Sequence, residues 1–205
     1  SSSPVTCAVT SAGRIAQIVN NINWYEPAVV GIDAFFRQPK DPEGDEALVR
    51  AFSQTRNLVL VSKVAYTEEA QEEEVERWAM SEADADRLFD TLAMSHRMFT
   101  RYASHGYANL LIDQEAAFMT CREVTMTEEW TEGVEPSFPV ALTKFYDANA
   151  SATAESLGME PQTINFHGNL SSFYHVDVWQ AIDPEFDMSF VKGKIVLLGF
   201  IGPDL

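Results

Sequence analysis

The sequence predicts an α/β fold: a three-layer α/β/α sandwich in which helices cover both faces of a mixed, mainly parallel sheet. In the first third of the chain, helical and strand patterns alternate. Parallel strands need a crossover connection, which is usually a helix, so this alternation favours a covered parallel sheet. The 205 residues are 46% hydrophobic, which is sufficient for one large domain with its own core.

The first predicted helix spans residues 11–26, with Ser11 at its N-cap position and Pro27 directly after it. Four apolar residues in it follow the i, i+3, i+4, i+7 spacing of an amphipathic helix: Ile15, Ile18, Val19 and Ile22. A buried strand over residues 28–34 and a turn-rich loop over residues 38–44 follow.

The second helix is predicted to begin near Asp45, with Leu48 and Phe52 facing inward, and residues 57–64 return as a strand. Residues 67–95 then form a predicted acidic helical insertion, because closely spaced Glu and Asp residues are typical of a solvated surface. Such an insertion is either a passive helical excursion or a dimer contact or lid.

Two strand-like runs, residues 107–112 and 118–125, flank a polar stretch and predict a hairpin, which makes the sheet mixed. A short apolar helix is predicted over residues 138–146. Residues 148–159 are rich in small residues and predict a surface connection.

The last third of the chain predicts two buried strands on either side of a switch segment. The first strand begins near Thr163, and a helix begins near Val178. Residues 195–198 form an apolar, β-branched run, which predicts a central strand buried on both faces.

Five landmarks occur in an order that resembles the type-2 CHASE domain family. They are an apolar strand ending in Asp33 and an aromatic pair, a helix opening at residues 45–48, a Gly-aromatic-x-Asn strand at residues 106–109, a Pro-Ser-Phe helix at residues 136–142, and the last-third strands with their switch segment. The order of the landmarks across most of the chain carries the resemblance.

The resemblance implies an extracytoplasmic sensory module that precedes bacterial adenylate cyclases, histidine kinases or serine/threonine kinases. We therefore expect residues 1–205 to be one non-enzymatic sensor domain, anchored to the plasma membrane by flanking segments and lacking the C-terminal end of the domain. The expected partners are an unknown small-molecule or protein stimulus and possible second copies in a homodimer. No cofactor is expected.

The formal net charge of −17 argues against nucleic acid as a partner. Binding to phosphates requires a basic surface that releases counterions, and this surface repels anions. The acidity has two interpretations, plain solubility and cation capture, and no residue pattern singles out a cation site.

Asp33 is the first candidate ligand-binding residue, because it ends a buried strand and ligands of open α/β sheets bind outside the carboxyl ends of the strands. The other candidates lie around the last-third loop: Asn165, His167, Asn169, Tyr174, His175 and Asp177. His167 and His175 also have the residue type that responds to pH. The alternatives are that Asp33 accepts hydrogen bonds from the following loop or caps a helix, and that Asn165 and Asp177 satisfy loop backbone groups and cap the helix near Val178.

Catalytic machinery is not apparent in the sequence. No metal-binding histidine spacing, nucleophile elbow or phosphate loop occurs, so no catalytic or metal-ligating residue is assigned. The rival hypothesis is an extracellular hydrolase that uses Asp33, His167 and Asp177 as acid, base and orienting group. A third hypothesis is a protein-interaction module acting through the acidic insertion. Cys7 and Cys121 are either a disulfide or two free thiols.

Overall fold

In a computed structural model of the chain, the fold is built around a five-stranded sheet. The structure describes residues 11–65, 91–109, 111–112, 121–168 and 172–199. In chain order its elements are α1 (Ala12–Asn23), β1 (Val29–Asp33), α2 (Pro42–Gln54), β2 (Leu58–Ala65), β3 (Thr91–Ala93), α3 (Arg97–Thr100), β4 (Ser104–Tyr107), β5 (Leu111–Ile112), β6 (Cys121–Val124), β7 (Thr127–Trp130), β8 (Gly133–Pro136), α4 (Phe138–Tyr146), α5 (Ala148–Glu155), β9 (Gln162–Thr163), α6 (Val178–Ile182) and β10 (Ile195–Gly199).

Four strands of the main sheet are parallel, in the order β10, β1, β2, β4. The fifth strand, β3, pairs antiparallel with the last three residues of β2. The other described strands form two small antiparallel sheets. One contains β5, β6 and β9, with β6 in the middle, and the other is the hairpin of β7 and β8. The predicted mixed, mainly parallel sheet is therefore confirmed.

Helices lie on both faces of this sheet, which confirms the three-layer α/β arrangement. On one face α1 and α2 pack around a core that includes Leu48 and Phe52, both fully buried. On the other face α4 packs with Phe138 and Leu142 against Val59. Burying one such large apolar side chain contributes roughly 1.5–3 kcal/mol to folding.

The first half of the chain agrees closely with its sequence pattern. α1 buries Ile18, Val19 and Ile22 of the predicted apolar stripe and leaves Ile15 half-buried, and the Ser11 side chain makes no capping hydrogen bond. α2 begins at Pro42, earlier than predicted, because the Asp41 side chain accepts a hydrogen bond from the Gly44 backbone N–H and caps the helix there. The predicted burial of Leu48 and Phe52 is confirmed.

The prediction that residues 195–198 form a central strand buried on both faces is wrong. β10 pairs only with β1 among the described strands and lies at an edge of the sheet. Its side chains alternate in exposure, and Ile195 and Leu197 are 39% and 65% exposed. A continuous apolar run is typical of a strand that is covered on both faces. The sequence of the run does not show whether a helix covers its second face in this fold.

The predicted buried strand near Thr163 is also wrong. β9 has two residues, lies in the small sheet beside β6, and is largely exposed. The predicted hairpin is partly confirmed: β5 pairs antiparallel with β6, but the run 107–112 divides into the end of β4 and β5. Residues 113–120 of that hairpin lie outside the described residues.

Two other segments differ from their predictions. The predicted surface connection at residues 148–159 begins with a helix, α5, whose N-cap Asp147 accepts hydrogen bonds from two backbone N–H groups. Residues 91–93, assigned to the helical insertion, form β3, because β2 extends past its pairing with β1 and its backbone groups need partners. Residues 67–90 lie outside the described residues. None of the described helices is long and apolar enough to cross a membrane.

Candidate functional site

The carboxyl ends of four parallel strands meet at one edge of the main sheet. β1 ends at Asp33, β2 at Ala65, β4 at Tyr107 and β10 at Gly199. Ligands of open α/β proteins bind outside this edge, because polar loop residues converge there over a rigid scaffold. The polar side chains near this edge are therefore the first candidates for a functional site.

Asp33 lies at this edge, as the sequence predicts. It is exposed and stands opposite Gly199 in the parallel register. Its carboxylate makes no hydrogen bond or ion pair with any other described residue, so it does not serve the following loop. That loop is held instead by Ser95, whose hydroxyl accepts a hydrogen bond from the Phe36 N–H at 2.9 Å.

A second polar group lies between β2, β4 and β8. The Glu135 side chain is 5% exposed, and one of its oxygens, Oε1, has two partners. Ser62 Oγ donates to this oxygen at 2.7 Å, and His105 Nδ1 lies 2.6 Å from it. We call these three residues, Ser62, His105 and Glu135, the Glu135 clamp, because they join three strands through one buried carboxylate oxygen.

The strand register explains how these residues meet. Ser137 forms a parallel bridge with Tyr107, so Glu135 stands beside His105 two residues earlier. Ser62 pairs with Tyr107 across β2 and β4. Tyr107 lies two residues after His105, and residues two positions apart on a strand share a face, so Ser62 lies on the same face of the sheet as His105.

The Glu135 clamp raises the pKa of His105 above its ordinary value. The hydrogen bond to the Glu135 carboxylate is the largest cause, and the charge of the same carboxylate adds to it. Burial acts in the opposite direction, because it disfavours the imidazolium. The His105 side chain remains 36% exposed, so burial lowers its pKa by less than the Glu135 carboxylate raises it.

Tyr107 anchors the neighbouring part of the same face. Its hydroxyl donates to the Thr125 carbonyl oxygen and also lies within hydrogen-bonding distance of the Thr125 hydroxyl. Thr125 Oγ1 in turn donates to Glu128 of β7. Burial is the main cause that raises the pKa of Tyr107 to about 12. The hydroxyl therefore stays a neutral donor at physiological pH.

The glycine and asparagine of the segment 106–109 have structural roles beside this cluster. A Cβ atom on Gly106 would lie 2.8 Å from the Phe138 Cα, so only glycine lets α4 approach β4 this closely. Asn109 accepts from the Val64 N–H at 3.1 Å and donates to the Val64 carbonyl at 2.8 Å. Its side chain thus continues the pairing of β2 beyond the end of β4.

Among the described residues, the predicted last-third site residues make no hydrogen bond or ion pair with Asp33. Asn165, His167 and His175 are exposed. No side-chain hydrogen bond joins these three to one another or to Asp33 among the described residues. Asn169 lies outside the described residues.

Tyr174 and Asp177 have identifiable local roles. Tyr174 is 88% exposed, and its ring stacks on Phe190 at a centroid distance of 5.3 Å. Asp177 is the N-cap residue of α6, and its backbone N–H donates to Gln180 Oε1 at 3.0 Å. The position of Asp177 agrees with the capping alternative.

A surface hollow of about 460 Å³ lies beside the N-terminus of α2. Asp45 is buried in its wall, and its Oδ2 accepts hydrogen bonds from the backbone N–H groups of Lys40 and Asp41. This carboxylate therefore stabilises the entry to α2. The remaining lining residues include Glu46, Val49, Met98 and Arg101.

No cluster of three potential metal ligands occurs among the described residues. Cys121 is half-buried and forms no disulfide with another described residue, and its Sγ donates to the Glu123 carbonyl at 3.5 Å. Cys7 lies outside the described residues, so the pairing of Cys7 with Cys121 stays a prediction.

The sequence interpretation missed the Glu135 clamp. His105 and Glu135 are 30 positions apart and lie on different strands, and no motif connects them. The available signal was a single acidic residue between Val134 and Pro136 in a strand-like stretch, whose burial depends on tertiary packing.

Comparison with known protein families identifies the family of the chain. The family model described as the CHASE2 domain matches residues 9–205. No curated protein and no solved structure matches the chain.

Proposed function

Because the chain belongs to the CHASE2 domain family, we propose that it is the signal-input domain of a bacterial transmembrane receptor. CHASE2 domains are extracellular sensory domains of signalling receptors, and they are sensory rather than catalytic. The proposed receptor is an adenylate cyclase, a histidine kinase or a serine/threonine kinase. The family match over residues 9–205 is the observation that carries this proposal.

In this proposal the whole chain is one sensor domain on the outer side of the plasma membrane, held there by flanking segments. A stimulus changes the equilibrium between two states of the domain or of its dimer. The stimulus shifts this equilibrium only by its difference in affinity for the two states, and a tenfold shift requires about 1.4 kcal/mol.

The proposed ligand site lies at the carboxyl edge of the sheet, around Asp33. The carboxylate of Asp33 supports this, because it is exposed and has no hydrogen-bond or ion-pair partner in the part of the chain that the structure describes. The loop residues 165–177 are proposed as the other side of the site.

The hydrolase hypothesis has no comparable support. Asp33, His167 and Asp177 are not joined by hydrogen bonds among the described residues, and Asp177 occupies a helix N-cap. An acid, a base and an orienting group need mutual geometry before they can act together. The hypothesis of an interaction module depends on residues 67–90, which lie outside the described residues.

A thermal-shift screen at one fixed pH tests the proposed function. The chain is screened against amino acids, nucleotides, sugars and divalent cations. A ligand that binds only the folded state adds about 2.7 kcal/mol of stability at 100 times its Kd. The expected result is a saturable rise in Tm with at least one ligand class.

Two variants locate the site. Asp33→Ala is expected to abolish the ligand response and to leave the fold intact. Glu160→Gln removes an exposed carboxylate elsewhere and is expected to respond like the wild type. A full ligand response in Asp33→Ala would contradict the proposed position of the site.

A further inference from the structure

We propose that the Glu135 clamp makes this domain responsive to pH, so that the proton outside the cell is a stimulus of the receptor. This inference rests on the proposed sensory function and adds a stimulus to it. It concerns a group that is distinct from Asp33 and the loop residues 165–177.

The geometry of the clamp supports the inference first. Glu135 Oε1 is buried, and its partners are one hydroxyl, from Ser62, and one imidazole nitrogen, from His105. A buried carboxylate is stable only when its charge is compensated. Protonated His105 supplies a full positive charge and a charge-assisted hydrogen bond, whereas neutral His105 supplies at most an ordinary hydrogen bond.

Among the described residues, no cation contributes to the pKa of His105. The polar side chains described on its face of the adjacent strands include Ser62, Tyr107, Glu128, Glu135 and Ser137. Of the two carboxylates, Glu128 is bound by Thr125. α4 packs against β4 from the opposite face, and its one charged residue is Lys144. The protonation of His105 therefore depends mainly on Glu135, which agrees with the direction of the His105 pKa.

The Glu135 clamp is also close in the chain to α4, so a change in the position of β8 can move this helix. Ser137 alone separates β8, which carries Glu135, from α4. α4 packs against β4 at Gly106 and against β1 at Gly31, where an added Cβ would lie 2.7 Å from Leu142. Release of β8 from His105 therefore displaces the entry to the helix that covers this face of the sheet.

The direction of the response follows from the pKa. His105 has a raised pKa in the folded state, so the clamp is fully formed below the ordinary histidine pKa of about 6.5. It weakens as the pH rises through the folded-state value. Acidic medium therefore holds the β7–β8 hairpin on the sheet, and alkaline medium loosens it.

Hydrogen exchange of the intact chain at pH 6 and pH 8 tests the inference. Exchange is expressed as protection factors, which removes the intrinsic pH dependence of the amide reaction, and α1 serves as the internal reference. Protection of residues 127–136 relative to α1 is expected to be about fivefold lower at pH 8, since a charge-assisted bond is roughly twice as strong as a neutral one.

Variants assign the effect to the clamp. His105→Gln and Glu135→Gln are expected to remove the pH dependence. His96→Asn replaces another histidine with a residue that also favours the N-cap position, and it should retain the wild-type response. Equal relative protection of the wild-type hairpin at both pH values would overturn the inference, as would an unchanged pH dependence in His105→Gln.

A measurement on the wild type alone guards against variants that do not fold. In an NMR titration the His105 ring is expected to titrate above pH 6.5, and the amide shifts of the hairpin should follow with the same midpoint. A His105 midpoint at or below 6.5 would refute the inference. Because the ligand screen is run at one pH, a ligand found there supports the sensory function even if the pH response fails.

Discussion

Replacement of Gly106 by alanine tests the close contact between β4 and α4. In the structure an added Cβ atom would lie 2.8 Å from Phe138 Cα, 2.9 Å from Ala141 Cβ and 3.0 Å from Phe138 N. Carbon atoms prefer separations of about 3.5–4.0 Å, so the helix must move by roughly 0.5–1 Å. Two of the three atoms belong to the backbone, and a change of rotamer cannot remove the clash.

The expected cost of Gly106→Ala is about 2–3 kcal/mol, in the upper range for overpacked cores. For a chain of this size such a loss lowers Tm by roughly 4–12 °C. Gly106 does not have a positive φ angle, so packing and not backbone strain causes the loss. Equilibrium unfolding in urea measures the free energy, and an unchanged slope confirms that the variant unfolds from the same compact state.

Gly133→Ala is the matched control. No atom lies within 4 Å of a Cβ at this position, and its φ angle is not positive either. The expected change is within about 0.5 kcal/mol, as for most surface substitutions. Equal stability of Gly106→Ala and Gly133→Ala would contradict the close packing of α4 on β4.

Other parts of the fold give further expected outcomes. Tyr107→Phe should cost about 1–3 kcal/mol in urea unfolding, because a buried hydrogen-bond network loses its donor. With the folded-state pKa of Tyr107 near 12 and the unfolded value near 10, the stabilisation by its hydroxyl persists below pH 10 and is lost toward pH 12; a pH-independent difference between wild type and Tyr107→Phe across that range would contradict this. Asn109→Ala removes both side-chain bonds to Val64 and should reduce stability by roughly 1–2 kcal/mol, and a neutral result would argue against the extended pairing of β2. Leu197→Asn should change the free energy of unfolding by no more than about 0.5 kcal/mol, whereas Leu60→Ala should cost about 2–5 kcal/mol; equal losses would show that β10 is buried after all.

The sequence predicted those features of the fold that depend on local pattern. The apolar stripe of α1 specifies both the helix and its buried face, because residues spaced by three and four positions share one side. The strand before Asp33 was also predicted closely. Caps moved the boundaries: Asp41 starts α2 earlier than the apolar pattern indicates.

Features that depend on distant neighbours were not predicted. The apolar run of β10 does not specify whether a helix covers its second face, so its exposure could not be foreseen. β3 forms because the last residues of β2 have backbone groups that need partners. The acidic sequence that precedes β3 does not indicate this pairing.

The candidate site was predicted in part for the same reason. The position of Asp33 follows from one strand and one topological rule, and the structure places it at the carboxyl edge. The Glu135 clamp needs the register of three strands, which a single sequence does not contain. Asp177 was assigned both as a ligand and as a cap, and its N-cap position agrees with the second.

The free energy of unfolding, measured by urea denaturation between pH 5.5 and 8.5, examines most directly whether the folded domain senses protons through His105. Between the unfolded and the folded pKa of His105 the folded state binds more protons, so the wild type should lose stability relative to His105→Gln as the pH rises, by at most about 1.4 kcal/mol per pH unit. The predicted result is that the difference in free energy of unfolding between the wild type and His105→Gln becomes smaller above pH 6.5. A difference in free energy of unfolding that stays constant between pH 5.5 and 8.5 would contradict proton sensing through His105.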